Sequence, residues 1–79
     1  MLGDEIKKAR LGAKLTQEQL SYAAQIDRTY VSMLENGKKS PTVDVLFRIC
    51  HAIGISAAEL ISRVEQSDKP SRKKPPIAK

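Results

Sequence analysis

The chain has no tryptophan and only three aromatic residues, Tyr22, Tyr30 and Phe47, in 79 residues. Alanine, leucine and isoleucine carry most of its hydrophobicity, which suits helices and argues against a sheet. A single cysteine, Cys50, rules out an internal disulfide and says nothing against a reducing compartment. Cys50 and the only histidine, His51, have neither metal-ligand spacing nor a catalytic partner. There is no glycine-rich phosphate loop and no grouping of carboxylates. The expectation is therefore no enzyme, no metal and no cofactor. No apolar run approaches the roughly 20 residues that span a bilayer, and the N-terminus has no signal-peptide apolar segment, so a cytoplasmic protein without membrane contact is expected.

Seventy-nine residues make one domain, and no separate small-molecule ligand domain is expected. Such a domain is near the lower limit for a self-sufficient core, so helix packing or self-association must contribute to stability. The net charge of +5 is unevenly placed. Residues 1–66 hold nine Lys/Arg against eight Asp/Glu, a balance of +1, whereas residues 67–79 hold five against one, a balance of +4. The globular part is nearly neutral, and what its charges can do depends on where they sit. The terminal stretch, DKPSRKKPPIAK after Ser67, has three prolines and little apolar content to offset its ordering entropy. It reads as a disordered basic tail over residues 67–79, after a domain at 1–66.

Five helices follow from periodicity and end signals. The first is expected from about Asp4 to Ala13, with Ile6, Ala9 and Ala13 on one face and its acidic residues leading its basic ones. Thr16 and Gln19 form a capping box for a second helix over Gln17–Ala24, with Leu20, Ala23 and Ala24 inward. After a turn at Gln25 and Ile26, Asp27 is an N-cap whose carboxylate can accept from Thr29 or Tyr30. The third helix, Arg28–Asn36, turns Val31 and Leu34 inward and stops at Gly37. Thr42 caps a fourth that ends at Gly54, with Val43, Leu46, Ile49, Cys50 and Ile53 on its core face. Ser56 and Glu59 form a second capping box for a fifth, reaching about Gln66.

The second and third helices carry the functional signal. Counting from Gln17, apolar residues fall at the fourth, eighth, tenth, fifteenth and eighteenth places (Leu20, Ala24, Ile26, Val31, Leu34), and the small Ser21 at the fifth. Two helices crossing steeply need a small side chain at their contact and apolar residues bracing the turn. The pattern resembles the helix-turn-helix of the lambda-repressor-like (Cro/C1, or XRE) family. The likeness extends to Ile6–Arg10 before it, Leu34–Pro41 after it, and Leu46, Ile49, Ile53–Ser56, Glu59 and Leu60 beyond, about residues 2–62. Asp27–Ser32, DRTYVS, is also similar to small controller proteins of restriction–modification systems. The resemblance implies an all-α, compact five-helix domain that binds double-stranded DNA. Two positions depart from the family pattern: Gln25 and Lys14 stand where glycine is usual, and a positive φ there costs a non-glycine residue about 1 kcal/mol.

The third helix leaves Arg28, Thr29, Ser32 and Met33 on its outward face. A nine-residue helix is about 13 Å long, enough to lay one end in a major groove roughly 12 Å wide. Arg28 can bond guanine O6 and N7 bidentately. Thr29 and Ser32 can reach base edges, and Met33 can pack on a thymine methyl. Tyr30 can donate its hydroxyl to a phosphate or simply pack on the domain surface. Lys38 and Lys39 follow the helix and either reach the DNA backbone or stay solvated. By resemblance, Gln17 has a phosphate or base-edge role at the start of the second helix. Also by resemblance, Arg10 and Glu35 are a structural pair tying the first helix to the third.

One such domain reads few base pairs, so a homodimer on two half-sites is expected, with Phe47, Leu60, Ile61 and Val64 as its surface. The same residues could instead complete the monomer core. The function that follows is a sequence-specific transcriptional regulator. The alternative is an antitoxin-like interaction module that binds DNA secondarily, although the tail is too polar for a segment that folds on a partner.

Overall fold

The computed structural model describes residues 1–67, which form five helices and no strand. The elements are α1 (Leu2–Gly12), α2 (Gln17–Ala24), α3 (Arg28–Glu35), α4 (Val43–Ile53) and α5 (Ala57–Ser67). Residues 68–79, most of the expected tail, lie outside the described residues, whereas Ser67 closes α5. No single described helix is long and apolar enough to cross a membrane.

Local chemistry sets most boundaries. Thr16 Oγ1 accepts from the Gln19 N–H at 3.0 Å, and the Thr16 N–H donates to Gln19 Oε1 at 2.8 Å, completing the capping box. Thr42 Oγ1 accepts from the Val45 N–H at 3.1 Å. Ser56 Oγ accepts from the Glu59 N–H at 3.0 Å, but the second half of that box does not form, because the Glu59 carboxylate turns to Arg63 at 3.2 Å. Gly54 ends α4 at φ 93°.

α1 begins two residues before the expected Asp4. Its first turn closes on Met1, whose carbonyl accepts from the Glu5 N–H, and it runs through Gly3. The glycine is required by a distant contact: a Cβ there would lie 2.3 Å from the Leu34 carbonyl oxygen, so α1 could not reach the end of α3.

α2 packs on α3 and α4, α1 on α3 and α5, and α4 meets α5 across a bend of 102°. The core is Ile6, Ala9, Leu20, Ala24, Val31, Leu34, Leu46, Ile49, Cys50 and Leu60. A fully buried side chain of the Leu or Ile kind stabilises by about 1.5–3 kcal/mol, a large share of a domain's net 5–15 kcal/mol. Burial also pushes the Cys50 thiol above its ordinary value, so it packs as a neutral small hydrophobe.

Two residues expected inward face solvent. Ala23 is exposed because α2 turns the arc of Leu20, Ser21 and Ala24 to the core, and Ala23 lies off it. Val43 is 66% exposed. At 100° per residue it stands about 70° from the middle of the arc made by Leu46, Ile49, Cys50 and Ile53. Leu60, expected at a subunit surface, is 0% exposed and seals the core inside one chain.

Candidate nucleic-acid interface

The α2–α3 unit is held by a tight, strained turn. Ser21 is buried at the crossing, where its small side chain permits close approach, and its hydroxyl donates to the Glu18 carbonyl at 2.7 Å. Gln25 adopts φ 60°, ψ 47°, and the Ile26 N–H closes the turn on the Ser21 carbonyl at 3.0 Å. Lys14, between α1 and α2, likewise has φ 62°. Both positions named as departures from glycine are thus left-handed, each at a cost of about 1 kcal/mol.

α3 is braced from behind by a buried polar corner. Arg10 Nε donates to Glu35 Oε2 at 2.7 Å, Nη2 to Glu35 Oε1 at 3.0 Å, and Nη1 to the Leu15 carbonyl at 2.8 Å. Gln17 Nε2 donates to the same Glu35 Oε1 at 3.1 Å. Arg10 and Glu35 are both buried, so the charges hold only because the pair is bidentate and further bonded. The corner ties α1, the α1–α2 loop, the start of α2 and the end of α3 into one rigid piece.

The outward side of α3 is the opposite. Arg28 and Thr29 are exposed, Ser32 and Met33 half-buried, and Tyr30 half-buried against the edge of the core. The side chains of Arg28, Thr29 and Tyr30 have no hydrogen bond or ion pair among the described residues, and neither do those of Lys38 and Lys39. Ser32 Oγ accepts only a long bond from Asn36 at 3.4 Å. Gly37, at φ 76°, ends the helix and turns the chain so that both lysines are exposed. α3, eight residues and about 12 Å long, therefore presents unpaired donors and acceptors along its first turns. Beside its start lies an open groove of about 790 Å³, bordered by Thr16, Glu18, Tyr22, Ile26, Asp27 and Arg28.

One expectation changes, and one residue gains a bond not expected from the sequence. Asp27 occupies the N-cap of α3, but its carboxylate accepts no hydrogen bond from the helix and lines the groove instead. Gln17 is half-buried, and its amide nitrogen is engaged with Glu35. Nothing in the local spacing signals that bond, which spans 18 residues. A second long-range contact also escapes sequence patterning, from Arg48 Nη1 to the Gln25 carbonyl at 3.3 Å. The residues expected at a subunit surface divide: Phe47 is 56% and Ile61 40% exposed, Val64 is half-buried and Leu60 is core.

Two helices crossing over a buried small residue, the second braced from behind and bare in front, define a helix-turn-helix domain. The helix-turn-helix family model matches residues 6–60, and the chain belongs to that family, in its XRE, lambda-repressor-like branch. It is 42% identical over 66 residues to the control protein C.MunI of a Mycoplasma species, covering 81% of this chain and 88% of that one. The crystal structure of the clp gene regulator ClgR from Corynebacterium glutamicum superposes with a TM-score of 0.83 at 28% identity, covering 90% of this chain and 91% of that one. The wild-type restriction–modification controller protein C.Esp1396I superposes at 0.76 with 31% identity, covering 82% and 84%.

Proposed function

We propose that this protein is a sequence-specific DNA-binding transcriptional regulator that lays α3 in the major groove and acts as a homodimer on a two-half-site operator. The observation that carries this is the bare outward face of α3, with Arg28 and Thr29 exposed and unpaired on a helix braced by the buried Arg10–Glu35 pair. Rigid presentation of unpaired groups is what direct readout requires. Relatives named as control proteins, transcriptional regulators and an immunity repressor support it.

In this reading Arg28 bonds guanine, Thr29 and Ser32 touch neighbouring base edges, and Met33 packs on a thymine methyl. Tyr30, Lys38 and Lys39 hold the phosphate backbone, and Gln17 with the α2 N-terminus grips a further phosphate. Phe47, Ile61 and Val64 supply the dimer surface, setting two recognition helices about 34–36 Å apart. The protein acts in the cytoplasm, by binding and not by catalysis.

Selection of bound sequences from a random duplex pool at fixed salt tests the reading. The expected result is a two-fold symmetric site, with wild type discriminating it from random DNA and Arg28→Ala losing the preference at one base per half-site. Unchanged discrimination in Arg28→Ala overturns the base-reading role. Sedimentation equilibrium tests the subunit surface: Ile61→Asp should shift dimer to monomer and leave the helical content intact.

A further inference from the structure

Arg48 lies on α4, outside the α2–α3 unit, yet its guanidinium reaches that unit at its left-handed turn. Nη1 donates to the Gln25 carbonyl at 3.3 Å, while Nη2 pairs with Asp44 Oδ2 at 3.3 Å one turn back along α4. Gln25 is the left-handed, non-glycine residue that joins α2 to the turn before α3. The C-terminal end of α2 leaves carbonyls without helical partners and carries partial negative charge. α2 has no basic residue in its own last turn to answer that charge. Arg48 supplies the missing cation from another helix and satisfies the strained residue's carbonyl at the same time.

We propose that Arg48 is a positioning residue for the recognition helix: it caps α2 from outside and holds the left-handed turn at Gln25, fixing the angle at which α3 leaves the domain. This inference rests on the DNA-reading function proposed above. A planar fork suits the task, because one arm can bond Asp44 while the other bonds the carbonyl, whereas lysine concentrates its charge at a single point. Arg48 need not touch DNA. Its loss leaves Arg28 and Thr29 present but poorly aimed, and small misplacements of recognition groups weaken specific contacts more than non-specific ones.

The test compares wild type, Arg48→Ala and Arg48→Lys on the duplex selected with wild type and on a random duplex, over a salt series. Arg48→Ala should weaken binding to the selected duplex by about tenfold and to the random duplex by no more than about threefold, so discrimination narrows. Arg48→Lys keeps the charge and should show the same narrowing. In an Arg48→Ala, Gln25→Gly background part of the discrimination should return, because glycine holds the left-handed turn without support. A parallel loss on both duplexes, with a salt slope lower by about 0.9 and full rescue by lysine, would make Arg48 an ordinary phosphate-attracting cation and overturn the proposal. Circular dichroism confirms folding at the assay temperature, and Arg48→Lys carries the test if the alanine variant melts. Absence of any preferred duplex for wild type would instead sink the DNA-reading function itself.

Discussion

Two polar regions lie on opposite sides of α3, and their chemistry is inverted. Behind the helix, Arg10, Gln17, Glu35 and the Leu15 carbonyl are bonded to one another and largely closed to water. In front, Arg28, Thr29, Tyr30, Lys38 and Lys39 have no side-chain partner among the described residues. Burial explains the first arrangement, since a charge taken out of water must be paired or it destabilises the fold. Burial does not explain the second. An exposed helix start bearing unmatched donors and acceptors does nothing for stability, and the protein keeps it rigid at the expense of a buried ion pair. Bonded, buried polar groups and bare, exposed ones thus occupy different faces of one eight-residue helix, and the function proposed above gives the second face recognition.

The contrast can be broken most forcefully from behind. Glu35→Ala leaves the Arg10 guanidinium buried and uncompensated, which costs about 3–5 kcal/mol. For a domain of this size that is a melting temperature lower by at least about 12 °C, measurable by thermal circular dichroism. DNA binding would then fall through unfolding and recover on cooling, if recognition and scaffold are separate. In front, Arg28→Ala should leave stability within about 0.5 kcal/mol of wild type, yet cost about 1–3 kcal/mol on the selected duplex. A large stability loss in that variant would mean that Arg28 belongs to the scaffold and that the two faces are not distinct. Lys39→Ala should have a smaller effect of a different kind. It should weaken every duplex about equally and lower the salt slope by about 0.9, read in a binding titration against salt.

How much of this was legible in the chain depends on the range of the interaction. The bounds of α2 and both end signals of α4 could be read because Thr16, Gln19, Thr42 and Gly54 act within a few residues of where they stand. The outward set on α3 was legible for the same reason, as it is what remains once Val31 and Leu34 face the core. The start of α1 was not, because Gly3 has no local signature: its need comes from the Leu34 carbonyl of another helix. Leu60 and Ile61 are adjacent apolar residues on an amphipathic helix, and how α5 packs against α1 and α4, a property of the folded chain, decides which of them is sealed. Gln17 on Glu35 and Arg48 on Gln25 are likewise contacts that only the folded chain creates.

Asp27 offers the smallest and sharpest test, because residue type places it with the scaffold and geometry places it beside the exposed groove. As an N-cap aspartate it should stabilise α3 as Thr16 stabilises α2, and loss of a working cap costs about 0.5–2 kcal/mol. In the structure Thr16 Oγ1 accepts a helix N–H at 3.0 Å, whereas the Asp27 side chain accepts none and borders the groove beside Arg28. Thr16→Ala should therefore lower stability by about 1 kcal/mol, and Asp27→Ala by no more than about 0.5 kcal/mol, both read by urea denaturation. Removing the Asp27 carboxylate should also strengthen binding to random DNA, since a negative charge beside the groove repels phosphate. Equal stability losses in the two variants would show that Asp27 caps α3 after all, moving it from the bare front of the helix to the structural side.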